Sequence, residues 1–207
     1  FKDGRDFGVE INYVIQHTHQ LKGLAAAINL VEERISSDFI VQLGDNLFSA
    51  DLKKVIQHHF DNNCSATLHV EEHENPERYG VVELDTQGNV ISLEEKPEVP
   101  KSNYVITGFY VLSPVIFKMI KGLKPSKRGE YELTDALQKL VTNKFRVQAV
   151  KIEGWRLDIG YPEDLVSVNK IFLNEKTHSV LGKVENSNII PPVYISESSI
   201  VKNSTIG

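Results

Sequence analysis

The chain has 207 residues, of which 41% are hydrophobic and 25% charged, an ordinary composition with enough apolar surface for a sizeable core. Its 23 Lys and Arg against 28 Asp and Glu give a net charge of −5, which disfavours binding to a nucleic-acid polymer or an anionic membrane. Cys64 is the only cysteine and no apolar run approaches the roughly 20 residues that cross a bilayer, so a reducing, cytoplasmic location is expected.

The first third of the chain alternates between strand-like apolar runs and helix-like stretches. Apolar residues spaced three and four apart indicate a helix, and short apolar runs bounded by turn-forming residues indicate strands. The predicted elements are, in order, strand 9–15, helix 23–35, strand 39–43, helix 51–59 and strand 66–71.

The rest of the first 175 residues is richer in strands. Residues 79–84 and 90–93 flank a turn-forming segment and predict a β-hairpin. Further elements follow it: strand 104–112, a helix beginning near Pro114, helix 133–140, strand 145–152, the apolar stretch 155–160 and a helix beginning at Pro162. This alternation predicts an α/β fold with a doubly wound, mostly parallel mixed sheet, to which the hairpin adds antiparallel strands.

The pattern changes after residue 184. Ile189, Ile195 and Val201 recur every six residues, and so do Ile200 and Ile206. Such a period predicts the short stacked rungs of a parallel β-helix, and a Pro- and Ser-rich tail with chance spacing is the alternative. We therefore expect two domains, residues 1–178 and the start of a β-helix over residues 179–207.

Two aspartates are candidate metal ligands. Asp45 follows the predicted strand 39–43, and ligands of α/β sheets bind beyond the carboxyl ends of strands. Asp158 lies in an apolar stretch, where a carboxylate needs a partner. Together they would suit Mg²⁺ bound to a triphosphate. On the residues alone, Asp45 could instead shape a turn, and Asp158 could pair with Arg156.

Glu95 and Lys96 place an acid and a base side by side after a strand. Neighbouring side chains of an extended chain diverge, but Pro97 favours an end to the strand at this point. Lysine suits a phosphate group, and glutamate can accept hydrogen bonds from sugar hydroxyls. A solvated turn is the simpler interpretation of this pair. The charged loop 127–130 could bind an anion or could be a solvated lead into the next helix, and the second interpretation is the simpler one.

Six short motifs occur in a recognisable order. Together they closely resemble the sugar-phosphate nucleotidylyltransferases over residues 1–175, and most of all the long glucose-1-phosphate thymidylyltransferases with a C-terminal hexapeptide-repeat β-helix. The motifs are Val41–Asn46, Tyr79–Glu83, Glu94–Pro97, Thr107–Tyr110, Lys127–Asp135 and Trp155–Gly160.

The resemblance implies a Rossmann-like nucleotide-diphospho-sugar transferase fold followed by a left-handed β-helix. It also implies transfer of a nucleotidyl group from dTTP to glucose 1-phosphate, with Mg²⁺ as cofactor, and a homo-oligomer. A UTP-dependent uridylyltransferase, with or without an acetyltransferase on the β-helix, is an open alternative. A regulatory subunit that only binds sugar nucleotides is another.

The resemblance assigns roles to individual positions. Because residues 17–22 separate Gln16 from Gly23 more widely than the family pattern does, Gln20 competes with Gln16 for the base. By position, Asp45 and Asp158 would hold Mg²⁺, Lys96 would contact the sugar phosphate, Glu95 and the backbone at Gly80 and Ile106 would bind the sugar, and Gln16 with Gly23 would read the base.

One expected part of the family pattern does not occur among the 207 residues. The glycine-rich G-x-G-T-R-L loop, whose backbone N–H groups would cradle the triphosphate, is not found in them. We therefore expect the chain as printed not to catalyse the reaction, and the protein that carries it to do so.

Overall fold

The computed structural model describes residues 1–17, 21–151, 153–175 and 178–207, apart from the side chains of residues 174 and 175. By packing, the chain divides into a first unit of residues 1–44 and 48–155 and a second unit of residues 45–47 and 156–207. The last helix thus groups with the strands that follow it, whereas the domain boundary after residue 178 stays a prediction. Within the described ranges, no helix has the length and apolar character needed to span a bilayer.

Five α-helices are described, four of them in the first unit. They are α1 (Leu24–Asn29), α2 (Lys53–Asp61), α3 (Val115–Lys121), α4 (Leu133–Thr142) and α5 (Pro162–Glu175). The predicted helix 23–35 is shorter than expected, because α1 ends at Asn29 and a separate 3-10 helix follows at Glu32–Arg34. Pro114 lies at the N-terminal cap of α3, as the sequence predicts.

The first unit is built on a six-stranded sheet. Its strands are β1 (Phe39–Gln42), β3 (Ala66–Glu72), β4 (Gly80–Leu84), β5 (Val90–Glu95), β6 (Tyr104–Leu112) and β7 (Val147–Lys151). The strand order is β5-β4-β6-β3-β7, with β1 also paired to β6.

The prediction of a mostly parallel sheet is wrong for the described strands. Within this sheet only β3 and β7 pair in parallel, whereas β1, β3 and β4 all pair antiparallel to β6. The cause is β6, which inserts between β1 and β3 on its return from the predicted β4–β5 hairpin. The sheet is therefore mixed, with antiparallel pairs in the majority.

The strand predicted over residues 9–15 is not formed either. This segment has no regular secondary structure, and none of the described strands pairs with it. Its Tyr13 and Ile15 are 65% and 70% exposed, so the apolar pattern that predicted a strand has no described surface to pack against.

The core of the first unit lies where α1, α3 and α4 pack on the sheet. Leu68 and Leu112 from the sheet and Ile116, Leu137 and Leu140 from the helices are fully buried in it. Burying each such side chain contributes about 1.5–3 kcal/mol, so this cluster holds the sheet and the helix α4 in a fixed relation.

The second unit contains α5 and a series of short strands. Residues 46 and 47 of β2 (Asn46–Phe48) belong to it and pair with β8 (Arg156–Asp158). After α5, three parallel pairs form between β9 (Ser179–Val180) and β12 (Tyr194–Ile195), β10 (Lys183–Glu185) and β13 (Ile200–Lys202), and β11 (Asn188–Ile189) and β14 (Thr205–Ile206).

Only some of the apolar side chains that recur every six residues are buried. Ile195 is buried and Ile189 and Val201 are half-buried, but Ile200 and Ile206 are 64% and 39% exposed. Successive strands stack with polar contacts at the corners, where Asn186 donates a hydrogen bond to an Asn203 oxygen 17 residues later at 2.8 Å.

Candidate active site

Glu95 and Lys96 lie where β5 ends, as the sequence predicts. The strand stops at Glu95, and Lys96 adopts the left-handed region with a φ of 45° while its N–H donates to the Tyr79 carbonyl at 2.9 Å. The turn brings both side chains to one cavity of about 520 Å³ instead of sending them to opposite faces. A lysine in this conformation is strained, and such strain is concentrated at functional positions.

Glu95 contacts Gly80 on the neighbouring strand and Thr134 on α4. Gly80 pairs with Glu95 across the hairpin, and the Thr134 hydroxyl donates to a Glu95 oxygen at 2.9 Å. A Cβ atom at Gly80 would lie 2.8 Å from Thr134 Cγ2 and 3.3 Å from Ile106 Cδ1. Four predicted site residues therefore meet here, and Thr134 is added to them by the structure.

We expect Gly80→Ala to destabilise the first unit. Because its Cβ would overlap the Thr134 methyl group, α4 must shift, at a cost of about 1–3 kcal/mol. Urea unfolding monitored by circular dichroism measures this change. Gly44→Ala is the matched control, since a Cβ there meets nothing within 4 Å. Equal stability of the two variants would show that the close approach at Gly80 is not as tight as described.

Arg128 is a cation in the lining of the same cavity. Its Nη1 lies 3.7 Å from a Glu95 oxygen and 3.4 Å from an oxygen of the buried Glu132. Lys96 and Lys127 also line the cavity, together with the carboxylates of Glu94, Glu98 and Asp135. Lys127 and Arg128 of the loop 127–130 therefore contribute to a cavity of mixed charge.

The environment of Glu95 favours its protonated form more than water does. Burial raises the pKa of the Glu95 carboxyl above its ordinary value, and the negative charge of Glu132 raises it further. The hydrogen bond from Thr134 and the charges of Lys96 and Arg128 act in the opposite direction. A carboxyl balanced in this way can exchange hydrogen bonds with the hydroxyl groups of a sugar.

Gln16 lies at a second cavity, of about 500 Å³, also lined by Leu21, Asn29 and Tyr131. Its amide donates to the Leu21 carbonyl at 2.7 Å. The Asn29 side-chain oxygen is buried with no hydrogen-bond donor among the described residues. Gln20, the competing candidate for reading a base, lies outside the described residues.

Gly23 is the N-terminal cap of α1, and two features of this position require glycine. Its φ of 100° is one that side chains disfavour, and a Cβ there would lie 2.5 Å from the Tyr131 carbonyl oxygen. The backbone of Tyr131 forms hydrogen bonds with residues on both sides of Gly23. Its carbonyl accepts from the Ala25 N–H at 3.0 Å, and its N–H donates to the Lys22 carbonyl at 2.8 Å. The start of α1 is thereby tied to the segment that precedes α4.

Asp45 and Asp158 lie on neighbouring segments of the second unit. The Asp45 carbonyl accepts from the Ile159 N–H at 2.8 Å, which brings the two aspartates to adjacent chain segments. The Asp45 side chain accepts from Asn46 at 2.8 Å, and the buried Asn46 accepts from Arg156 at 2.8 Å. Both aspartates are exposed, so their carboxylates are accessible from solvent.

This arrangement fits a magnesium ion. Mg²⁺ takes oxygen ligands and is usually held by one or two carboxylates, with water and phosphate oxygens filling the remaining positions. Two accessible carboxylates are suited to bind the ion together with a phosphorylated substrate.

Comparison with known proteins settles the family. The family model described as nucleotidyl transferase matches residues 1–175. The chain belongs to the nucleotidyl transferase family. Each of the cavities and both aspartates described above lie within the matched residues, as does the mixed α/β sheet that carries them.

Three nucleotidyl transferase relatives illustrate the range of the family. A UTP–glucose-1-phosphate uridylyltransferase, AglF, from Haloferax volcanii is 41% identical over 83% of this chain and 71% of its own length. A glucose-1-phosphate thymidylyltransferase from Streptomyces antibioticus is 34% identical over 99% of this chain and 58% of its own length. A UDP-glucose pyrophosphorylase solved with UDP-glucose superposes with a TM-score of 0.72 and 31% identity, covering 80% of this chain and 66% of the other.

The chain is shorter than the curated relatives it matches, and spans 55%, 71% and 58% of the lengths of three of them. Family membership therefore relates the chain to sugar-1-phosphate nucleotidyltransferases.

Proposed function

We propose that the protein carrying this chain transfers a nucleotidyl group from dTTP to glucose 1-phosphate, giving dTDP-glucose and pyrophosphate. The observation that carries the proposal is the cavity at the end of β5, where Glu95 is held by Thr134 beside Lys96 and Arg128. It offers oxygen acceptors for sugar hydroxyls next to cations for a phosphate group. Relatives named for both dTDP and UDP chemistry share glucose 1-phosphate as the sugar in their names.

The reaction proceeds by in-line attack of a sugar-phosphate oxygen on the α-phosphorus. A new P–O bond forms there as the bond to the bridging oxygen of the β-phosphate breaks, and pyrophosphate leaves. Because the nucleophile is already an anion, no general base is needed, and catalysis depends on alignment and charge neutralisation. This agrees with a site of carboxylates and cations.

Each residue has a defined task in this proposal. Lys96 and Arg128 hold the phosphate of the sugar, while Glu95 and the backbone at Gly80 and Ile106 hold the sugar ring. Gln16 and Gly23 contact the base. Asp45 and Asp158 would bind Mg²⁺, which neutralises phosphate charge when bound.

A uridylyltransferase is the second candidate, supported by the 41% identity to AglF. Thymine and uracil differ by one methyl group, which is worth about 1 kcal/mol or slightly more in a pocket. We therefore expect turnover with dTTP to be about tenfold better than turnover with UTP.

We also propose that the three parallel strand pairs after α5 are the first turns of a left-handed β-helix that begins after residue 178. The parallel pairing and the stacked contact between Asn186 and Asn203 support it. The expected homo-oligomer and cytoplasmic location stay predictions.

The test is nucleotide-sugar synthesis from glucose 1-phosphate by the natural protein, with dTTP, UTP, dATP and GTP compared. In parallel, calorimetry measures binding of glucose 1-phosphate to this chain. Turnover with dTTP at least about tenfold better than with UTP supports the proposal. Preference for UTP would make the protein a uridylyltransferase, binding without turnover would make it a regulatory subunit, and no binding of any sugar 1-phosphate would overturn the function.

A further inference from the structure

Glu132 is a buried carboxylate in the lining of the cavity at the end of β5, and it contacts Ser126 and Arg128. It is 5% exposed and lies at the N-terminal cap of α4, where the helix dipole stabilises a negative charge. Its Oε1 accepts from the Ser126 hydroxyl at 2.8 Å and lies 3.4 Å from Arg128 Nη1. Glu132 lines the cavity, and its described contacts are with Ser126 and Arg128.

Ser126 links Glu132 to the backbone of the loop as well. Its Oγ accepts from the Arg128 N–H at 3.2 Å while donating to Glu132. The loop is closed by Ser126 N–H on the Glu130 carbonyl at 2.8 Å and by Gly129 N–H on the Ser126 carbonyl at 2.9 Å. Arg128 is therefore linked to the buried Glu132 carboxylate in two ways: its N–H through the Ser126 hydroxyl, and its guanidinium directly.

Arg128 needs such support because its side chain is 42% exposed. A long exposed arginine samples many rotamers, and ordering it on a substrate costs conformational free energy. Its nitrogens lie 3.7 Å from a Glu95 oxygen and 3.4 Å from a Glu130 oxygen, and these side chains are 21% and 35% exposed. Glu132 lies at 3.4 Å and is the most buried of the three carboxylates, with its side chain 7% exposed.

We propose that Glu132, acting through Ser126, is a positioning residue that holds Arg128 ready to receive the phosphate of the sugar 1-phosphate. The proposal rests on the proposed function for the identity of the substrate. Its structural part, that Glu132 orders Arg128, is independent of that function. Glu132 acts by ordering Arg128 before the substrate arrives and does not touch the reacting atoms, so loss of the support should weaken substrate binding more than it slows the chemical step.

The test compares Glu132→Ala, Glu132→Gln and the matched control Glu130→Gln in the natural protein. Loss of a charge-assisted contact of this kind is expected to raise KM for glucose 1-phosphate about tenfold in Glu132→Ala. The change in kcat should stay within about twofold, as expected for lost uniform binding. Glu132→Gln should recover part of the loss, because its amide oxygen still accepts from Ser126. Glu130→Gln removes the exposed partner of the same arginine and should leave KM within about twofold.

A second readout does not depend on activity. In this chain, the Arg128 guanidinium signal in ¹⁵N NMR, assigned with Arg128→Lys, should be that of an ordered side chain in wild type and in Glu130→Gln. In Glu132→Ala it should move to the position of free arginine. An unchanged signal in Glu132→Ala would overturn the positioning role. If wild type orders Arg128 but binds no sugar 1-phosphate, the proposed function fails and the structural part stands.

Discussion

Replacing either aspartate of the second unit by asparagine is expected to lower kcat/KM about 10³-fold, the loss that follows when several kcal/mol of metal-assisted charge neutralisation is removed. Asp45→Asn and Asp158→Asn each remove one anionic ligand while preserving side-chain shape. Turnover by the natural protein at saturating Mg²⁺ measures the effect. Binding of Mn²⁺, a paramagnetic substitute with the same preference for oxygen ligands, is read by electron paramagnetic resonance on this chain.

Asp51→Asn is the matched control for this prediction. Asp51 is exposed and its side chain accepts from the Lys53 N–H at 3.2 Å at the start of α2, so it has a local structural role. Its replacement should change neither turnover nor Mn²⁺ binding. If Asp45→Asn and Asp158→Asn bind Mn²⁺ as well as wild type does, the assignment of the metal to this pair is wrong, whatever the activity.

Lys96→Gly is expected to lower activity and raise stability at the same time. Removal of the charge should reduce kcat/KM roughly 10²- to 10³-fold, as for other groups that neutralise charge in a transition state. Glycine adopts the φ of 45° without strain, so the free energy of unfolding should rise by about 1 kcal/mol. Initial rates with glucose 1-phosphate and urea unfolding measure the two effects.

Lys144 provides a control in the same backbone conformation. It has a φ of 62° and follows the end of α4, where its N–H donates to the Val141 carbonyl at 2.9 Å. Lys144→Gly should therefore stabilise the protein by a similar amount and leave turnover unchanged. A Lys96→Gly variant that is fully active would remove Lys96 from the proposed site, and one that is less stable would show that its side chain contributes more to packing than its strain costs.

Local features of the sequence predicted the β4–β5 hairpin and the end of β5 better than they predicted the pairing of the sheet. The hairpin of β4 and β5 and the strand end before Pro97 depend on neighbouring residues, and both are present. The direction of β6 depends on which strands it joins across the fold, and no local pattern encodes that choice. Alternation of strands and helices was therefore a poor guide to parallel pairing.

The same distinction explains which site residues sequence reasoning missed. Thr134 reaches Glu95 across 39 residues, through packing of α4 on the hairpin. In the sequence it is simply a small residue in the first turn of a helix. Arg128 was visible only as one charge in a polar loop, and its orientation depends on the buried Glu132. Contacts of this kind follow from tertiary packing, which spacing along the chain does not reveal.

The backbone bonds between Tyr131 and the start of α1 have a consequence for protein engineering. Gly23 is proposed to contact the base. Arg128, which is proposed to hold the sugar phosphate, lies shortly before Tyr131, whose backbone is hydrogen-bonded to residues on both sides of Gly23. A side chain at Gly23 would push on the Tyr131 carbonyl from 2.5 Å and displace the segment that carries the arginine. Substitutions of Gly23 made to change nucleotide preference are therefore expected to change binding of the sugar 1-phosphate as well. Variant libraries that retain Gly23 should change nucleotide preference without this side effect.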